Sequence, residues 1–212
     1  MPTFKSLFLF LAIFMSVLIG CNPDDTVNPP VIITSIKENM TPDSTDGWLY
    51  YSFDTDATVP ATQAATDAWD IKFRFIPFDQ TGAIFQKIFL AEGAIFLNSP
   101  TVGNAAGKTK GYVADTSFLV VTAVGDDSKL RSDDTTKGNQ IITFNGFYTY
   151  NQSARTAGPN PNKTLIVRTA KGKYVKMQLQ SIYKGKPLVP TMTDPVGYYS
   201  FQYVKSDTKS FK

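Results

Sequence analysis

From Val31 onward, apolar and polar positions alternate with a period of two in several short runs. Leu49, Tyr51 and Phe53 alternate with Trp48, Tyr50 and Ser52, and Ile71, Phe73 and Phe75 with Lys72, Arg74 and Ile76. Val175, Met177 and Leu179 alternate with Lys176, Gln178 and Gln180, and Tyr199, Phe201 and Tyr203 with Ser200 and Gln202. A period of two sends one set of side chains to each face of a strand, so these runs predict strands with one buried face. Ser117 to Val124 also reads as a strand. Turn signals separate the runs. Ala170-Lys171-Gly172-Lys173 predicts a hairpin between the Thr164–Thr169 and Tyr174–Ile182 runs, and Gly125–Ser128 and Ala157–Asn162 read as loops. Pro187 and Pro190 break the chain before the last strand. Alanines cluster in Thr58–Ala68, but Pro60 and the threonines leave room for a short helix at most. The expectation is a single all-β domain of antiparallel sheets, a sandwich or curled sheet, over residues 31–205, with a C-terminal tail at 206–212.

The first twenty residues follow another pattern. Lys5 precedes an apolar run from Leu7 to Ile19 interrupted only by Ser16. That run is shorter than the roughly 20 residues a membrane-spanning helix needs, and it reads as a signal peptide over residues 1–20. Leu18-Ile19-Gly20-Cys21 places a small residue before the only cysteine of the chain. This resembles a bacterial lipobox, in which the cysteine is acylated; Cys21 is the expected lipidation site, and its acyl chains the expected membrane anchor. Residues 21–30 then carry three prolines among polar residues and read as a tether. Asp24 and Asp25, close after Cys21, resemble the surface-export signal of Bacteroidetes lipoproteins, although a generic linker reads equally well.

Composition removes most catalytic designs. The chain of 212 residues has no histidine and one cysteine, which excludes Ser-His-Asp and Cys-His catalysis, His-ligated zinc and an intrachain disulfide. Loss of the leader removes Lys5 alone of 21 basic residues and none of the 18 acidic ones, leaving the remainder near neutral. The basic residues form no block able to track a phosphate backbone, so nucleic acid is not an expected partner. The densest basic stretch, Lys163, Arg168, Lys171, Lys173 and Lys176, reads as the solvated face of a hairpin.

Other candidate chemistry is sparse. Gly103–Thr109 imitates the end of a phosphate-binding loop, but Gly103 is one place too near Gly107 and no helix is expected to follow. Asp126, Asp127, Asp133 and Asp134 form an acidic stretch that reads as a solvated loop, with a hard cation such as calcium or a glycosidase carboxylate pair as the alternatives. No catalytic constellation and no metal site are expected. Aromatic residues crowd Asn145–Asn151 and Gly197–Tyr203, which suits a core or the lining of a flat ligand site.

Four segments carry a resemblance. Trp48–Phe53, Ala68–Arg74, Thr164–Leu179 and Gly197–Val204 resemble, in order, segments of the HmuY family, and together they span nearly the whole chain after the leader. The resemblance implies an all-β, haemophore-like outer-membrane lipoprotein of Bacteroidetes that binds haem. It implies host haemoproteins as the source and a TonB-dependent outer-membrane receptor as the recipient. Two histidines clamp the iron in the best-known type, and methionines in some relatives. Here histidine is absent, and the methionines after the leader are Met40, Met177 and Met192. Met177 alternates with Val175 and Leu179 and reads as core. Met40 and Met192 lie outside the region where the resemblance places ligands. Counting back from Val167-Arg168 puts one axial position near Tyr150 and Asn151, which makes Tyr148 and Tyr150 the candidate haem ligands, tyrosinate being an established type of axial donor. Two strand tyrosines with no ligand role is the alternative. A second function also stays open: a binding lipoprotein of the same fold that recognises another iron chelate, a glycan or a protein.

Overall fold

The computed structural model describes residues 32–43, 45–77, 82–143 and 146–212. The leader, Cys21 and the tether to residue 30 lie outside the described residues. The described chain forms eleven strands: β1 (Thr34–Met40), β2 (Trp48–Ser52), β3 (Ala57–Val59), β4 (Ile71–Arg74), β5 (Ile95–Leu97), β6 (Lys110–Ala114), β7 (Tyr148–Asn151), β8 (Thr156–Pro159), β9 (Thr164–Arg168), β10 (Tyr174–Tyr183) and β11 (Val196–Ser206). A five-stranded sheet has the order β1-β11-β10-β9-β6, a four-stranded sheet the order β3-β2-β4-β5, and β7 and β8 form a separate hairpin. All pairings are antiparallel, as the all-β reading expects.

The alternating residues meet between the sheets. Phe201 of β11 stacks on Phe73 of β4 at 5.3 Å between centroids and 17° between planes, and lies edge-on to Tyr51 of β2 at 5.4 Å. All three are at most 1% exposed, and each buried ring contributes roughly 1.5–3 kcal/mol by leaving water. Met177 lies in the same cluster with no exposed surface, as its alternation predicts. At one end Tyr51 and Tyr203, from different sheets, both donate to Asp56, the first at 2.5 Å, and Lys37 pairs with the same carboxylate.

Two local expectations are corrected, and the reading of Thr58–Ala68 as holding a short helix at most is met. The β4 alternation ends at Arg74; Phe75 is half-buried and Ile76 buried, so the period slips as the chain leaves the sheet. Thr58–Ala68 contains β3 and one 3-10 turn, Ala61–Gln63. Ser117–Val124 is not a strand: Val120 and Val121 donate back to Ser117 in a turn, and Leu119 and Val120 face solvent while Phe118 and Val121 are buried. A helical turn, Ala83–Gln86, continued by a π-helical stretch, Lys87–Glu92, has no counterpart among the expected elements.

The Ser117–Val124 segment covers the outer face of the five-stranded sheet. Phe118, Val121, Val124 and Phe211 pack there against Ile166, Tyr174 and Val204. The segment read as a tail therefore carries a buried residue, and Ser210 bridges to Ala123. Lys176 shares this covered face and is 6% exposed rather than solvated. Its ammonium donates to the carbonyls of Phe118 (2.9 Å) and Val121 (2.7 Å) and lies 4.5 Å from the centre of the Phe118 ring. A buried ammonium persists when carbonyls and an aromatic face replace its water. Among the described residues, no helix is long and apolar enough to cross a membrane.

Candidate functional site

The tyrosines expected as ligands sit on β7. Tyr148 is 1% exposed, packs edge-on against Phe89 and donates to the Phe89 carbonyl at 3.1 Å. Burial pushes its phenol well above the usual range, which disfavours the phenolate that iron would need. Tyr150 is half-buried, and its hydroxyl accepts from Gln86 Nε2 at 3.1 Å. Beside the β7–β8 hairpin, Phe85, Tyr183, Val196, Arg155 and Met192 enclose a cavity of about 20 Å³. That is room for about one water, so these residues as arranged do not fit a macrocycle. Met192 is 39% exposed, with its sulfur 3.8 Å from an Arg155 nitrogen, and Met40 packs at the edge of the core. Met192 shares the lining of this small cavity with Tyr183, whereas Met177 belongs to the core cluster.

Open space lies elsewhere. A cleft of about 650 Å³ runs along β6, between Tyr112–Thr116 on one side and Val120–Ala123, Gly125, Asp126 and Lys129 on the other, with Ile166 also in its wall. This falls within the roughly 300–1,000 Å³ of small-molecule and cofactor sites. The cleft exists because β6 loses its outer neighbour. Gly111 exchanges both backbone hydrogen bonds with Arg131, at 2.9 and 3.2 Å, and the residues just before Arg131, Asp127–Lys129, form a 3-10 turn in place of a paired strand. Alternation along an antiparallel ladder aims the backbone groups of Val113 into the opening. Tyr112 is half-buried in the wall, and its hydroxyl accepts from the Gly125 amide at a long 3.4 Å. Val120 is 65% exposed at the lip. Asp115 pairs with Lys163, and Asp126 accepts from the Ser128 amide at 2.9 Å. A second cleft, of about 460 Å³, is lined by Trp48, Phe75, Pro77, Ile88, Arg74, Lys87 and Glu92. Lys72 lies 4.3 Å from the Trp48 ring centre, and Arg74 pairs with Glu92 at 2.6 Å.

The acidic stretch divides. Asp126 and Asp127 are exposed, whereas Asp133 is fully buried and accepts from the amides of Leu97 (2.9 Å), Ile141 (2.8 Å) and Asp134 (2.9 Å). This corrects the solvated-loop reading for Asp133, whose carboxylate organises the surrounding chain. Gly103–Thr109 is likewise structural: a Cβ on Gly107 would lie 2.5 Å from Asn98 Oδ1 and 2.6 Å from the Ser99 nitrogen.

Asp70 is a second buried carboxylate, accepting from Phe53 N (2.9 Å), Ala170 N (3.2 Å) and the Thr109 hydroxyl (3.2 Å). Burial, with the Asp54 carboxylate nearby, pushes it up to about 6. In the unfolded chain the same group titrates near ~4, so folding takes up a proton between the two values. Its contribution is fully present below the unfolded value and is lost as pH rises through about 6. Stability is therefore expected to increase by about 1 kcal/mol from this group on going from about pH 7 to pH 5. Urea unfolding at both pH values checks this, and Asp70→Asn should flatten the dependence; an unchanged slope in that variant would assign it to other groups.

The model of the HmuY family, described as HmuY protein, matches residues 44–203. Similar solved structures include a protein of Bacteroides vulgatus described as HmuY-like and heme binding, at 14% identity and a TM-score of 0.43, covering 81% of this chain and 90% of that one. The apo HmuY analog of Tannerella forsythia is 11% identical, with a TM-score of 0.41 and coverage of 84% and 97%. A Bacteroides fragilis protein described as a lipoprotein is 15% identical, with a TM-score of 0.41 and coverage of 80% and 86%. No curated protein matches the chain.

Proposed function

Because this chain belongs to the HmuY family, we propose that it binds haem, or a related tetrapyrrole, as cargo for iron acquisition, acting as a binding protein and not a catalyst. The family match over residues 44–203 carries this reading. Lipidation at Cys21 would hold the domain at the outer membrane, with host haemoproteins as the source of cargo and a TonB-dependent receptor as its recipient. The β6 cleft supports the reading physically. Ala114, Val120, Val121 and Ile166 supply apolar wall for the macrocycle, and Tyr112 supplies an oxygen donor. The residues there fit a cargo held from one side by burial and a single donor, in place of the two-sided clamp of the histidine type.

The single-sided donor set also favours a second reading, a lipoprotein of this fold that takes another iron chelate, a glycan or a protein. Titration with ferric haem separates the two. Micromolar haem is expected to give a shifted Soret band and to quench tryptophan fluorescence; absence of both would leave the second reading. Trp48 lines the second cleft and Trp69 is 1% exposed. Trp48→Phe is therefore expected to leave the Soret shift intact if the cargo lies along β6.

A further inference from the structure

We infer that Tyr112 is the iron donor for the cargo in the β6 cleft, an assignment that rests on the haem-binding reading above. Four phenols of the buried core are already committed as donors, and the Tyr183 hydroxyl accepts from the Ala157 amide at 2.9 Å. Tyr51 and Tyr203 donate to Asp56, Tyr148 to the Phe89 carbonyl and Tyr199 to the Arg74 carbonyl at 2.7 Å. Each of these side chains is buried, and burial pushes each phenol up. A donor whose proton is already bonded inside the core cannot turn to a ligand without leaving an orphaned acceptor. Tyr112 is placed differently. Of the tyrosines, it alone lines either of the two clefts described above. Among the described residues, no carbonyl or carboxylate accepts its proton, and its oxygen takes only the long contact from Gly125.

Position supports the assignment. Tyr112 pairs with Ile166 of β9, so its backbone is fixed by the ladder and not by a mobile loop. The facing wall is fixed by Lys176 through the Phe118 and Val121 carbonyls. Lys129 supplies one cation in the same cleft, beside the Asp126 carboxylate and near Asp115, which pairs with Lys163. In the binding step the phenol O–H bond breaks as an Fe–O bond forms, with the proton passing to solvent water. The iron stays ferric, and no co-reactant is required. Ligation from one side leaves the opposite axial position to water or to a donor on a receiving protein.

The test titrates the purified wild-type protein, Tyr112→Phe and Tyr150→Phe with ferric haem and, separately, with metal-free protoporphyrin. Wild type is expected to bind both and to show a phenolate-to-iron charge-transfer band with haem alone. Tyr112→Phe should lose that band and weaken haem binding roughly tenfold or more. It should still bind protoporphyrin as wild type does, which shows that the cleft is intact. Tyr150→Phe should match wild type throughout. If wild type binds haem and Tyr112→Phe keeps both band and affinity, or if Tyr150→Phe is the variant that loses them, the Tyr112 assignment falls while the haem reading stands. If wild type binds neither porphyrin, the haem reading itself falls.

Discussion

Asp133→Ala is expected to lower the free energy of unfolding by about 3–5 kcal/mol, a large part of what a domain of this size has. One carboxylate, with no exposed surface, accepts from three amides on separate stretches of chain: Leu97 in β5, Ile141 and Asp134. Alanine removes the acceptor and leaves the amides of Leu97 and Ile141 buried without partners, each costing about 1–3 kcal/mol. The Asp133 carbonyl also accepts from Ser99 (2.7 Å) and Thr101, so loosening here would spread to the turn after β5. Asp133→Asn keeps one acceptor oxygen but turns a donor towards at least one of the amides, and should fall between wild type and alanine. Urea unfolding measures both. A loss below about 1 kcal/mol for alanine would mean that water replaces the carboxylate.

Phe201→Ala should cost a comparable amount, about 3–5 kcal/mol, by a different route. Phe201 lies on the inner face of β11 and touches Phe73, Tyr51 and Tyr203. These rings come from both sheets, so the cavity would open in the layer that holds the sheets together, where neighbouring aromatics in fixed rotamers collapse poorly. Phe201→Leu refills most of the volume and is expected to recover more than half of the loss. Thermal and urea unfolding of the pair distinguish cavity formation from a loss specific to aromatic packing: equal losses for leucine and alanine would point to the latter.

The core strands were legible in the sequence because each has one covered face. Tyr199, Phe201 and Tyr203 declare it by alternation, and Gly172, at a φ of +82°, marks the β9–β10 turn as the Ala170–Lys173 signal predicts. Legibility fails where a surface is covered from a distance. Nothing local to Lys176 shows that Ser117–Val124, more than fifty residues earlier, lies over it. For the same reason Ser117–Val124 looks like a strand: its apolar residues meet a sheet face, but as a turn laid over it. Asp133 hides likewise in a run of aspartates, since its partners Leu97 and Ile141 are remote in sequence. The helical segment did leave a local mark, because Phe85, Ile88 and Phe89 recur at helical spacing. Tyr112 left none. Lys110–Ala114 is an ordinary short run, and the cleft beside it arises because the chain that pairs Arg131 with Gly111 is a turn, Asp127–Lys129, where it would face the rest of β6.

The strap from Lys176 to the cleft wall bears on rates as well as shape. That wall is held by a buried ammonium, and the strand facing it is held by its ladder. If the proposed cargo binds there, entry is expected to be set by encounter and desolvation, and residence time by the strength of the iron–phenolate bond and the apolar burial. For a carrier this is a useful division of labour. Under the proposed function, cargo held there would pass to a recipient offering a stronger donor, and the recipient's affinity would set the direction of transfer.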